Sequence, residues 1–120
     1  MTEYMIVIVG DEDRWWTTMS EDERKHGYAE YGRFSQELVA RGHKITGGAE
    51  LHASSETKRI APGSSTVTDG PYAEAVEQIG GFFLVQTDDV DDVLDCCRIL
   101  TAIGEGVEVR RTVQPEERVS

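Results

Sequence analysis

The chain has 120 residues, with 12 Lys plus Arg against 23 Asp plus Glu, a formal net charge of −11 at pH 7. That length suits one compact domain able to bury roughly 60–70% of its unfolded surface without metal or disulfide support. The acidic balance argues against nucleic acid or an anionic membrane as partner, both being polyanions, and the longest apolar run, residues 5–9, is far below the roughly 20 residues of a membrane span.

The first residues lack the basic and apolar regions of a secretion signal; Glu3 and then Asp11, Glu12 and Asp13 stand there instead, so a cytoplasmic location is expected. Residues 4–9 read as a strand apolar on both faces, and 11–18 as a polar loop holding Arg14, Trp15 and Trp16. Ser20-x-x-Glu23 is a capping box that opens a helix, in which Tyr28, Tyr31, Phe34, Ser35, Leu38 and Val39 share one face. The helix stops at Arg41-Gly42, a glycine suited to the position after the cap and an arginine suited to the negative end of the dipole.

Residues 44–53 read as a strand with a bulge or bend at Gly47-Gly48, and 56–60 with 65–68 as the arms of a hairpin around Ala61-Pro62-Gly63-Ser64. Asp69-Gly70-Pro71 is a turn, 73–78 an irregular segment, and 81–87 a second strand apolar on both faces. Asp88 or Asp89 caps a second helix whose stripe is Val90, Val93, Leu94, Cys97, Leu100 and Thr101, ended by Gly104. Residues 105–113 form a last strand, and 115–120 a frayed tail beyond a single domain of residues 1–114. The adjacent Cys96 and Cys97 point about 100° apart on a helix and cannot bridge each other; with no CxxC or Cys/His spacing, reduced thiols and no metal site are expected.

The order strand, helix, strand with hairpin, strand, helix, strand is the ferredoxin-like βαββαβ plan, an α+β fold, with an inserted hairpin. Two helices cover only one face of its sheet. The rear of both central strands is apolar, so a homodimer stacked through the sheet faces is expected.

Val67-Thr68-Asp69-Gly70-Pro71-Tyr72-Ala73-Glu74, then Glu77, Gly80-Gly81-Phe82-Phe83 and Val107-Glu108-Val109-Arg110, resemble the DGPF branch of the YCII-related family. The early strand with Gly10-Asp11-Glu12, the paired tryptophans and Tyr31-Gly32 extend the resemblance over nearly the whole chain. Tyr72 departs from the usual phenylalanine, Ala75-Val76 from Thr-Lys, and Arg111 from a closing proline. The resemblance implies a dimeric α+β barrel. It also brings two functional associations: small enzymes with a His–Asp pair in some relatives, and gene neighbourhoods containing extracytoplasmic-function sigma factors.

Two catalytic candidates follow. Asp69, at a strand end, can act as a general base or orient a histidine, or simply form its turn. His26 resembles in position the histidine ascribed to YCII-related proteins, yet it falls on the polar face of its helix. Tyr72, Arg14 and Trp15 are the ligand-binding candidates, although for Trp15-Trp16 a plug in a dimer interface is the favoured reading, aromatics being enriched at interfaces. Glu74 and Glu77 read as a solvated pair, His43 as lying on an exposed turn, and Glu50 with His52 as too few for a metal. No P-loop, GxGxxG or GxSxG occurs, so no cofactor is expected. The leading expectation is a cofactor-free small-molecule enzyme or ligand-binding protein using proton transfer. Its rival is a non-catalytic accessory module linked to sigma factors, docking a basic partner on its acidic helix face.

Overall fold

The computed structural model describes residues 1–70 and 78–119. Among them the chain forms β1 (Thr2–Gly10), α1 (Glu12–Thr17), α2 (Glu21–Ala40), β2 (Lys44–Glu50), β3 (Lys58–Ile60), β4 (Val67–Asp69), β5 (Gln78–Thr87), α3 (Val90–Thr101) and β6 (Gly106–Arg111). Short 3₁₀ turns stand at Ser54–Glu56 and Pro115–Glu117. Four strands make one antiparallel sheet in the order β2-β5-β1-β6, and β3 pairs with β4 as a separate hairpin. The architecture is α+β, with the two strands that lack a polar face at the centre of the sheet.

Alternation along those strands decides which side chains meet the helices. Ile6 and Ile8 of β1 and Val85 of β5 are buried against Phe34 and Leu38 of α2 and against Val93, Cys96, Cys97 and Leu100 of α3. Each of the large aliphatic side chains contributes roughly 1.5–3 kcal/mol by leaving water. Met5, Val7 and Val9 of β1, with Phe82 and Leu84 of β5, alternate to the opposite face and are only partly covered. The molecule is 17 Å across its thinnest dimension against 49 and 43 Å in the others, the proportions of a single sheet with one layer of helices.

The helix termini follow the local chemistry. Ser20 Oγ accepts from the Glu23 amide at 3.1 Å and Glu23 Oε1 accepts from the Ser20 amide at 3.1 Å, a complete capping box. Of the two aspartates expected to cap α3, Asp89 does so, accepting from the Asp92 amide. Gly42 and Gly104 take positive φ just beyond the helices, as expected of glycines there.

Several expectations are corrected. The segment at 11–18 is not a loop: Asp11 accepts from the Arg14 amide and opens α1. The buried stripe of α2 is narrower than its periodicity suggests, for Tyr28 and Val39 are exposed while Gly27 is buried. On α3, Cys96 is buried and Leu94 is exposed, and both thiols are free and buried. The final strand stops at Arg111, and the expected frayed tail holds a 3₁₀ turn in which Glu117 pairs with Arg111 at 2.8 Å.

His43 is also corrected, from an exposed turn to a buried junction. Its Nδ1 lies 2.7 Å from Thr87 Oγ1 and its Nε2 lies 2.6 Å from Asp92 Oδ2. The Thr87 hydroxyl also accepts from the Asp89 amide at 2.9 Å. Arg41 binds Asp92, Asp95 and Glu37 from outside. These contacts fasten the end of α2 and the start of β2 to the N-terminus of α3, with every ring nitrogen satisfied. The irregular segment expected at 73–78 lies, except for Gln78, outside the described residues.

Candidate functional site

The site begins with a fault in the central strand pair. Ile8 faces Gly81 and Val9 faces Ile79, so β5 carries one extra residue, Gly80, opposite the junction. A glycine bulge re-aims neighbouring backbone and leaves a side-chain position empty. Here the carboxyl of Glu12 occupies the space that a Cβ on Gly80 would need. Gly27 plays the same part in α2, where a Cβ would stand 2.6 Å from the Trp15 ring. Two glycines thus seat the short helix α1, one beneath its carboxylate and one beneath its tryptophan.

Further contacts hold α1 in place. Ser54 Oγ donates to Asp13 Oδ1 at 2.6 Å, and the Trp16 ring stacks on His52 with centroids 5.0 Å apart. Arg24 donates to the Met19 carbonyl at 2.9 Å, pinning the connection from α1 to α2. The Trp15 ring meets Tyr28 edge-on at 5.0 Å, and the Tyr28 hydroxyl donates to Glu50 Oε1 at 2.8 Å.

Between α1, α2 and this end of the sheet lies a cleft of about 300 Å³. Ile8, Gly81 and Phe83 contribute its floor; Trp15, Trp16, Tyr28 and Tyr31 its aromatic walls; Glu12, Glu50 and Glu105 its charge. Among the described residues its lining includes no Lys, Arg or His. The volume is at the small end of ligand pockets, which run to roughly 300–1,000 Å³ and are mostly apolar with a few convergent polar groups.

The carboxylates act on one another. Glu12 is pushed up to about 8 from 4.5, first by burial, then by a carboxyl–carboxyl hydrogen bond with Glu105 and by the negative charges of Glu105, Asp11 and Glu50. Glu12 Oε1 is buried without a conventional hydrogen-bond donor. A proton held between Glu12 and Glu105 meets that deficit, since two close carboxylates cannot both ionise without strong repulsion. Tyr31 is raised far above the ordinary phenol range by burial and then by Glu105, Glu12 and Glu50; Tyr28, exposed over nearly half its surface, is raised by the partial desolvation of its hydroxyl and then by its bond to Glu50. At neutral pH the cleft therefore holds a protonated carboxyl able to donate a proton, beside hydroxyls that stay neutral. Among the described residues, no group of three or more His, Cys, Asp or Glu is arranged to hold a metal ion.

The sequence candidates are distributed differently. Trp15 lines the cleft, and its burial within the chain takes it away from a dimer plug. Arg14 and His26 line a second, more polar hollow of about 560 Å³, on the other side of Trp15. Asp69 is exposed at the end of β4 and pairs with Lys58 across the hairpin. Among the described residues no hydrogen bond joins His26 to Asp69, and neither lines the aromatic cleft. Tyr72, Glu74 and Glu77 lie outside the described residues. Glu12 and Glu105 were missed as site residues; the one local signal for them was a Gly-Gly pair entering an otherwise apolar strand.

Comparison with known proteins adds the lineage. The model of the YCII-related domain matches residues 2–116. A protein of Rhizobium meliloti (strain 1021), described only as uncharacterized, is 34% identical over 91 residues, which cover 76% of this chain and 64% of the relative. The chain thus spans somewhat less than two thirds of that relative's length.

Proposed function

The chain belongs to the YCII-related domain family, and on that premise we propose that it is a cofactor-free small-molecule protein whose aromatic cleft carries out proton transfer through Glu12. The observation that carries this reading is the half-buried Glu12 carboxyl held against Glu105 on the Gly80 bulge. A carboxylic acid that keeps its proton at pH 7 can protonate a bound substrate, and once ionised it can take a proton back. Glu105 is the hydrogen-bond partner of the Glu12 carboxyl. Trp15, Trp16 and Tyr31 supply apolar area against which the body of a ligand can pack. The His26–Asp69 pairing has no comparable geometric support, so the chemistry is assigned to the two glutamates. The finer placement in the DGPF branch rests on the motif around Asp69, Gly70 and Pro71, and the free, buried thiols of Cys96 and Cys97 suit a reducing cytoplasm.

The test is solvent exchange. A panel of cyclic ketones and lactones is incubated with the protein in deuterated buffer, and exchange alpha to the carbonyl is followed by proton NMR. Both tryptophans of the chain line the cleft, so their fluorescence reports occupancy of the same site. Accelerated exchange that disappears in Glu12→Gln, with tryptophan quenching retained, is the expected result. Absence of both quenching and exchange across the panel overturns the reading.

We propose further that the working unit is a homodimer joined through the open sheet face, whose apolar residues Met5, Val7, Val9, Phe82 and Leu84 face away from the helices. An apolar surface of this extent is rarely left in water. Sedimentation at micromolar concentration is expected to give twice the chain mass for the wild type and the single-chain mass for Leu84→Lys. A monomeric wild type would refute the arrangement.

A further inference from the structure

The lining of the cleft also limits what enters it. Among the described residues its charged groups are all acidic, and its walls present aromatic faces, which carry negative potential above the ring plane. An anion would meet Glu12, Glu50 and Glu105 with no cation to offset them. A neutral ligand would find apolar walls but leave the acidic groups without a counter-charge. A protonated amine on a small apolar body answers both features. Its N–H groups donate to the carboxyl oxygens, its charge offsets theirs, and its body stacks on Trp15, Trp16 and Tyr31.

We propose that the cleft binds a primary or secondary organic amine in its protonated form, with the ammonium between Glu12 and Glu105 and the apolar body against the aromatic walls. This rests on the reading of the cleft as a small-molecule site and names the class of its ligand. The ammonium takes the place of the proton the two carboxyls share. Binding is thus an exchange: the amine enters as a cation and one proton leaves Glu12. The groups that set this exchange are Glu12 and Asp11 from the α1 region, Glu50 from β2, Glu105 before β6, and Tyr28 and Tyr31 from α2. Because Glu12 is pushed up to about 8, the amine competes with the proton below that pH, and affinity rises as pH is raised from 6 to 8.

The test uses three probes of one shape: benzylamine, benzyl alcohol and benzoate, each titrated into the full chain by calorimetry and tryptophan quenching. Benzylamine is expected to bind at least about tenfold more tightly than benzyl alcohol, and benzoate more weakly than either. Heats measured in buffers of different ionisation enthalpy are expected to report close to one proton released per benzylamine at pH 6.5. Glu12→Gln removes the charge while keeping the shape; it should abolish both the preference for benzylamine and the proton release. If benzyl alcohol or benzoate binds as well as benzylamine, the amine assignment fails while the cleft survives as a small-molecule site. If none of the three quenches the tryptophans, both readings fail. Benzylamine binding without proton release, or undiminished in Glu12→Gln, places the ammonium elsewhere and overturns the proposal.

Discussion

Replacing Glu12 by Gln should change how stability depends on pH more than it changes stability itself. Glu12 titrates at 4.5 when unperturbed and at about 8 in the folded protein. Between those values the native state binds one proton more than the unfolded chain. The stability this contributes is fully present below pH 4.5 and is lost as pH rises through 8. Each tenfold change in proton affinity is worth about 1.4 kcal/mol, which sets a ceiling of about 5 kcal/mol on the whole window. The cleft is open to solvent on one side, and water screens part of that cost, so about 2 kcal/mol is the expected effect. Glutamine resembles the protonated acid in shape and stays neutral at every pH. Urea denaturation at pH 5, 7 and 9 is therefore expected to give converging midpoints at low pH. At pH 9 the variant is more stable, by about 2 kcal/mol or roughly 8 °C in Tm for a chain of this size. The acidic surface also loses stability as pH rises, but equally in both proteins, so the difference between them isolates Glu12. Parallel pH profiles for wild type and Glu12→Gln would refute the claim that this carboxyl is held protonated.

Gly27→Ala places a methyl group 2.6 Å from the Trp15 ring; the overpacking should cost about 1–3 kcal/mol and shift tryptophan emission to the red, whereas unchanged melting and emission would show that the ring is not seated there. Gly80→Ala meets only the flexible end of Glu12; it should leave Tm nearly unchanged while displacing the carboxyl and returning its titration to the usual carboxylate range, and a large loss of stability would contradict that. Asp92 is held below the usual carboxylate range, first by its hydrogen bond with His43 and then by Arg41. Its contribution is present above the unfolded value and lost as pH falls through the folded one. Asp92→Asn should thus lower the urea midpoint at pH 7, with the gap to wild type closing below pH 4; a gap independent of pH would assign the loss to packing.

Much of the fold is legible in the letters because its signals are local. Met5–Val9 and Phe82–Val85 show by composition alone that they are buried on one face and apolar on the other. Ser20 with Glu23, and Asp89 before Val90, mark the helix starts through side chains that satisfy neighbouring amides. The short helix α1 is not legible, because six residues rarely hold a helix by propensity; Trp15 settling on Gly27 is what fixes it. His43 misleads for a related reason: it follows a helix-ending glycine, yet its partners Thr87 and Asp92 are more than forty residues away.

The site is hardest to read because its members are distant in sequence and each has an ordinary local explanation. Glu12 reads as one of three acids in a polar stretch, and Glu105 as a residue after a helix-stopping glycine. Pairing of β6 with β1 sets Glu105 beside the end of β1, and the extra residue in β5 leaves room there for Glu12; both are properties of pairing between strands. Asp69 attracts notice because it sits in a motif; it lies exposed at the end of β4, paired with Lys58 across the hairpin.

Carbon-13 NMR of the glutamate side-chain carboxyls, titrated from pH 4 to 10 and assigned with Glu12→Gln, tests the shared proton most directly. One carboxyl resonance titrating near pH 8, absent in Glu12→Gln and moved to the ordinary range in Gly80→Ala, is the expected result. If every glutamate carboxyl completes its titration below about pH 6, the Glu12–Glu105 pair does not hold a proton at neutral pH and the proton-transfer function has no acid to carry it.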